Sequence, residues 1–237
     1  MLYQAELLPG GRRAGCGARG SDDTSGGGAR RIMARVPDLL LASQNPGKLN
    51  EMRKLAEGLP LRVLGPRDLG IHDAPDETGQ TFLENATIKA LHYARLSGLL
   101  TVADDSGISV DALGGEPGLY SSRFGGEGAT DLERNVLLLE TLRGVPRERR
   151  GARFTSAVAV AKDGEVLFQA QESVEGLIAE EMRGTRGFGY DPLFFYPPFG
   201  KTFGEVPREE KDRVSHRGKA FARLREFLAG LHASGSD

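Results

Sequence analysis

Three short stretches of this chain gather side chains whose types and spacing suit chemistry on an anion. The first, Ser43-Gln44-Asn45-Pro46-Gly47-Lys48, puts a hydroxyl, two amides, a glycine and an ammonium into one turn. Such a turn aims backbone N–H groups and a cation at an anion near a helix N-terminus. It is not a Walker loop, because Leu49 stands where a Ser or Thr must follow the lysine. An ordinary strand–helix turn with a solvated lysine is the competing reading. The second stretch, Asp104-Asp105-Ser106-Gly107, follows an apolar run. That places it at the C-terminal end of a buried strand, where ligands of open α/β sheets sit. Successive side chains on a strand face opposite ways, so one aspartate is expected to face a given cleft. A carboxylate there suits Mg²⁺ or the orientation of a water; an Asx-turn closing the strand is the alternative.

The third stretch, Gly187-Phe188-Gly189-Tyr190-Asp191-Pro192, sets glycines around aromatics and an acid. It suits a loop that stacks on a base and hydrogen-bonds its edge, against the alternative that it merely buries Phe188 and Tyr190. Lys201 and Ser215-His216-Arg217 offer further phosphate or base contacts. Of two glutamates near the second helix, Glu84 has a capping role, which leaves Glu77 as the metal candidate beside Asp105.

These groups need a scaffold. Asp38–Ala42 reads as a buried strand, and Leu49, Met52, Leu55 and Leu59 carry helical spacing over Lys48–Leu59. Thr81-Phe-Leu-Glu84 opens a second helix as a capping box, with Leu83, Ala86, Ala90 and Ala94 on one face up to Ser97. Leu99–Ala103 is a second buried strand. Thr130-Asp-Leu-Glu133 opens a third helix bearing Leu132, Val136, Leu139 and Leu142. Phe154–Ala161 and Glu165–Ser173 flank Asp163-Gly164 as a hairpin. Gly187–Phe203 is too rich in Gly and Pro for a regular element, and a last helix covers His216–Leu231. The mixture of βα units and a hairpin argues for an α/β fold with a mixed, twisted sheet and flanking helices.

Length and charge narrow the function. A chain of 237 residues can bury a sizeable core, and its charge of −2, from 31 basic and 33 acidic residues, argues against an extended nucleic-acid surface. No apolar run approaches the roughly 20 residues needed to span a bilayer, and no apolar stretch near the start reads as a secretory signal. The single cysteine, Cys16, cannot form an internal disulfide. A cytoplasmic protein is expected, without a nucleic-acid or membrane partner. Residues 1–32, rich in Gly and Arg, are expected to be a disordered extension outside a domain covering 33–237.

The order of these segments resembles the inosine triphosphate pyrophosphatase (Ham1-like) family of XTP/dITP diphosphatases. The matching stretches are Ser43–Lys48, Glu77-Thr-Gly, Thr81-Phe-Leu-Glu-Asn-Ala86, Ala103-Asp-Asp-Ser-Gly107, Gly114-Gly-Glu-Pro-Gly118, Tyr120-Ser-Ser-Arg123, Gly187–Pro192 and Ser215-His-Arg-Gly218, spread over about 38–230. The resemblance implies two lobes around a nucleotide cleft, a homodimer, and Mg²⁺-dependent hydrolysis of dITP, ITP or XTP to monophosphate and pyrophosphate. It implies Asp105 as catalytic acid and metal-linked group, with Glu77 as the other metal contact. Ser43, Asn45 and Lys48, within the loop that includes Gln44, Pro46 and Gly47, would grip the triphosphate, and Ser106 would touch substrate. Phe188, Gly189, Tyr190 and Asp191 would hold the base, with Lys201, His216 and Arg217 completing the pocket. The loop reads Ser-Gln-Asn where many relatives have Thr-Gly-Asn. Two other readings are a related pyrophosphatase for other modified nucleotides and a non-catalytic nucleotide sensor.

Overall fold

The computed structural model describes residues 36–234; the extension expected over 1–32 lies outside them. Within them, strands β1 (Asp38–Leu41), β2 (Arg62–Leu64), β3 (Leu100–Val110), β4 (Gly151–Lys162), β5 (Glu165–Ile178), β6 (Phe194–Tyr196) and β7 (Lys201–Thr202) form one sheet in the order β2-β1-β3-β4-β5-β6-β7. β1 is parallel to both β2 and β3, and every pairing from β3 to β7 is antiparallel. The helices are α1 (Pro46–Leu55), α2 (Phe82–Ser97), α3 (Asp131–Thr141), α4 (Arg208–Val214) and α5 (His216–Ser234). The mixed α/β sheet expected from the sequence is present.

Three cores share the long strands. At one end α1 and α5 cover one face, where Met52, Phe221 and Leu224 pack on Leu39, Val102 and Val158. There α2 covers the other face, with Ala86, Ala90 and Ala94 against Ala103, Ala157 and Ala159. At the far end α3 packs Leu138 and Leu142 with Ile108, Val110, Phe154, Ile178, Phe194 and Phe203. β3 therefore reads apolar, polar, apolar: Val102 and Ala103 lie in the first two cores, Ile108 and Val110 in the third, and Asp104–Gly107 bridge them.

Asp104-Asp105-Ser106-Gly107 does not end the strand, as the sequence suggested, but lies inside it. The reason is the unequal length of its neighbours. β1 pairs with β3 only through Leu39–Leu41 against Leu100–Val102, whereas β4 pairs with it from Thr101 to Val110. Past Val102 one edge of β3 loses its parallel partner while the other keeps the chain extended, which excludes the Asx-turn reading. The conditions that favour a ligand at a strand end are met in mid-strand.

Other boundaries shift for local reasons. α1 starts at Pro46 because the Asn45 side chain accepts from the Gly47 and Lys48 amides, and it ends at Leu55 rather than Leu59. Thr81 caps α2 by accepting from Glu84 N, but the Glu84 carboxylate takes the Gln80 amide, so the box is displaced by one residue. The Thr130–Glu133 box is complete. The β4–β5 hairpin turns on Asp163 and Gly164, both at positive φ (52° and 85°), as a two-residue turn of this type requires. The stretch 187–203, expected to be irregular, supplies the short strands β6 and β7.

Gly107 is where β3 passes closest to the segment after it. A Cβ there would lie 2.4 Å from the Gly118 carbonyl oxygen and 2.5 Å from Ser121 Oγ. Gly107→Ala is expected to destabilise the fold by about 1–3 kcal/mol, the usual cost of overpacking. Chemical denaturation that finds parental stability would refute this tight packing.

Candidate active site

The carboxylates of Asp104 and Asp105 leave β3 on opposite faces, as the strand period demands. Both nevertheless line one cleft, because it wraps the unpaired edge of the strand. Asp104, 1% exposed, faces α1 and α5: Lys48 Nζ lies 2.7 Å from its Oδ2 and Arg217 Nε 3.9 Å. The Lys48 pair is close but poorly aligned as a hydrogen bond. Burial would raise the Asp104 pKa, but the fields of Lys48, Arg217 and Lys89 outweigh it, so its pKa falls below the usual carboxylate value. Lys48 is pushed down, first by burial and then by Arg217 and Lys89, with Asp104 opposing.

Asp105 faces α2. Its Oδ2 accepts from Asn85 Nδ2 at 3.3 Å, and its Oδ1 from Lys89 Nζ at 3.1 Å. Lys89 also donates to Glu77 Oε1 at 3.1 Å, while Arg123 donates to Glu77 Oε2 at 3.1 Å. Burial raises the Asp105 pKa above the ordinary aspartate value in spite of Lys89, which makes it a stronger proton acceptor than a surface aspartate. For Lys89 burial works against the charge, but Asp105, Asp104 and Glu77 together hold its pKa above normal. No group of three or more His, Cys, Asp or Glu side chains is gathered for a metal among the described residues. Glu77 and Asp105 do converge on a single ammonium, so both can reach one cation. Two carboxylates with phosphate oxygens are a donor set that suits Mg²⁺.

The loop after β1 closes this end. Asn45 N donates to Ser43 Oγ at 3.2 Å, and Asn45 Oδ1 accepts the Gly47 amide at 2.8 Å. Ser43, Gln44, Asn45 and Lys48 line the cleft, and Pro46 and Gly47 begin α1. At the other end Ser106 Oγ accepts from Arg217 Nη2 at 3.0 Å, and the Arg217 guanidinium lies 4.8 Å from the centre of the half-exposed Phe188 ring. Asp191 is buried and pairs with Lys211. Tyr190 donates to the Ser121 carbonyl at 2.8 Å. His216 stacks on Phe154 at 4.6 Å between ring centres, and burial pushes its pKa well below the ordinary imidazole value. The cleft between these ends has a volume of about 380 Å³, within the range of small-molecule sites.

Lys201 is the sequence candidate that the structure does not bring here. It is exposed on β7, at the sheet edge, and does not line the cleft. Sequence reading gave no role to Asn85, Lys89 or Lys211 and expected one aspartate of the pair in the cleft, whereas Asp104 and Asp105 both belong to this cluster. For Asn85 and Lys89 a signal existed: they sit four residues apart beside Ala86 and Ala90, the inward stripe of α2. Lys211 lies on α4, a short helix without a periodic signature.

Comparison with known proteins came out consistently. The sequence profile of the Ham1 family matches residues 39–227. A dITP/XTP pyrophosphatase of Thermus thermophilus is 50% identical over 194 residues, covering 82% of this chain and 93% of that protein. One from Shigella flexneri is 46% identical over 192 residues, covering 80% and 97%. A solved Ham1 protein from Coxiella burnetii superposes with a TM-score of 0.76 at 40% identity, over 82% of this chain and 99% of that one.

Two stability predictions follow from the charges. Asp104→Ala leaves Lys48 and Arg217 without their shared carboxylate and is expected to cost about 3–5 kcal/mol, as removal of one member of a buried ion pair does; a loss under 1 kcal/mol in denaturant titration would refute the pairing. His216 is neutral when folded and protonates more readily unfolded. Its contribution is therefore full above about pH 6.5 and declines as pH falls below that, by up to about 1.4 kcal/mol per unit. His216→Gln is expected to flatten the stability profile between about pH 6.5 and 5, and an unchanged slope would show that this imidazole is not buried neutral.

Proposed function

Because this chain belongs to the Ham1 family, we infer that it is a nucleoside-triphosphate pyrophosphatase, hydrolysing non-standard purine nucleoside triphosphates such as dITP and XTP to the monophosphate and pyrophosphate. The observation that carries this reading is the division of the cleft. Its floor is a strand with carboxylates on both faces, one end holds cations at a helix N-terminus, and the other holds a half-exposed aromatic ring beside a guanidinium. That is a phosphate end and a base end on either side of a basic carboxylate.

In this proposal Asp105 accepts a proton from the water that attacks the α-phosphorus. The Asn85 amide and Lys89 hold its orientation. Lys48 and Lys89 stabilise charge on the departing pyrophosphate. Asp104 keeps Lys48 in place and offsets the mutual repulsion of the cations. Mg²⁺ would be held by Glu77 and Asp105 and would supply charge neutralisation at the reacting phosphate.

At the base end Phe188 offers a stacking face, and Arg217, Lys211 and neutral His216 offer donors. A 6-oxo purine satisfies a donor there, whereas the 6-amino group of adenine leaves it unpaired, which a buried site penalises strongly. We further propose a homodimer working in the cytoplasm. Exposed Tyr120, Leu132 and Val136 support the first, and the lone cysteine the second.

With Mg²⁺ present, pyrophosphate release is expected from dITP and XTP, with kcat/KM for ATP lower by about 100-fold or more. Asp105→Asn is expected to lower kcat by about 10²–10⁴ with KM little changed. Equal turnover of dITP and ATP would remove the base selectivity, and near-parental turnover by Asp105→Asn would remove the assigned base. Tight nucleotide binding without product would favour a sensor.

A further inference from the structure

We propose that Asp131 and Asn135, on α3, are positioning residues that set the base selectivity of the cleft by clamping the backbone of Gly189. Gly189 N donates to Asp131 Oδ2 at 2.6 Å, and its carbonyl accepts from Asn135 Nδ2 at 2.9 Å. These two atoms belong to successive peptide groups, one on each side of the Gly189 α-carbon, which sits at φ 62°. Both peptide planes are therefore fixed from outside the loop. The two side chains are one helical turn apart, the spacing at which residues of a helix share a face.

The need for the clamp comes from Phe188. Its ring is 38% exposed, and its ring contacts are the cations Arg217 at 4.8 Å and Lys211 at 5.7 Å. A half-exposed ring has too little packing to hold it at one angle, so its place must come from its own backbone. That backbone is tied at its amide to Asp191 Oδ2 and, one peptide on, to Asp131. Tyr190 extends the attachment through its hydroxyl to the Ser121 carbonyl. Asn135 is 2% exposed, and its Oδ1 makes no hydrogen bond. An apolar side chain would fill that position without leaving a buried acceptor unpaired. What the amide adds is the donor to Gly189. A stacking platform held this rigidly discriminates between purines that differ by one edge group, whereas a loose one accommodates both.

The inference rests on the proposed function, and its test separates the two. In the full-length chain Asn135→Leu removes the donor without leaving an unpaired side-chain oxygen, and Asp131→Ala removes the acceptor at a half-exposed position. Each is expected to raise KM for dITP about tenfold with kcat within about threefold, and to shrink the preference for dITP over dGTP. Asp131→Asn, which keeps an oxygen acceptor, is expected to recover most of the KM lost in Asp131→Ala. Without nucleotide, amide exchange across 187–191 is expected to be faster in both disruptive variants than in the parent. Parental KM, selectivity and exchange in the variants would overturn the clamp, as would a loss of kcat alone. If Asn135→Leu fails to fold, the Ala and Asn variants of Asp131 decide between the same outcomes. If the parent releases no pyrophosphate from dITP, the functional reading fails by itself, and the exchange rates still decide whether α3 holds the loop.

Discussion

A carboxylate removed from water, Asp104, is the constraint on which the cleft depends. It is buried on a central strand, so its charge persists because Lys48 of α1 and Arg217 of α5 lie beside it and the field of Lys89 on α2 adds to theirs. The dependence runs both ways. A cleft for a polyphosphate needs several cations close together, and without a substrate those cations repel one another. Lys48 is pushed toward losing its proton by burial, Arg217 and Lys89, and Asp104 opposes this. One buried acid therefore keeps the phosphate grip assembled between turnovers and joins α1 and α5 to the centre of the sheet.

Asp105, one residue on, has a different environment because a strand turns its next side chain to the other face. There it meets an amide and a shared ammonium instead of two dedicated cations. The outcome is a pair of adjacent aspartates with pKa values displaced in opposite directions, one held ionised and one made more basic. Separation of this kind assigns structural and proton-accepting roles without any difference in side-chain chemistry.

Much of this was legible in the sequence where a local rule applied. Asn45, Thr130 and the Asp163-Gly164 turn act through backbone groups within a few residues, and each does what its type dictates. Two acids directly after an apolar run marked 104–107 as special. What was not legible depended on lengths and partners elsewhere. That β3 continues beyond Gly107 follows from β1 being short and β4 long, which no property of residues 104–107 encodes. The strand period led to the expectation that one aspartate faces a given cleft, and both line it because the cleft's wrapping of a strand edge is a tertiary fact. Lys201 looked useful because a lysine in a Gly- and Pro-rich stretch reads as a loop cation, whereas pairing with Tyr196 carries it to the sheet edge.

The hairpin of β4 and β5 has a mechanical consequence. Its strands run 12 and 14 residues and pass through the cores at both ends of the molecule. The two ends are thus joined by continuous hydrogen-bonded ribbon rather than by a flexible linker. Any widening of the cleft would have to bend or twist β3, β4 and β5 together, because they are paired along its whole length. The groups that must keep their spacing, Asp104 and Asp105, thus stand on the most extensively paired part of the sheet.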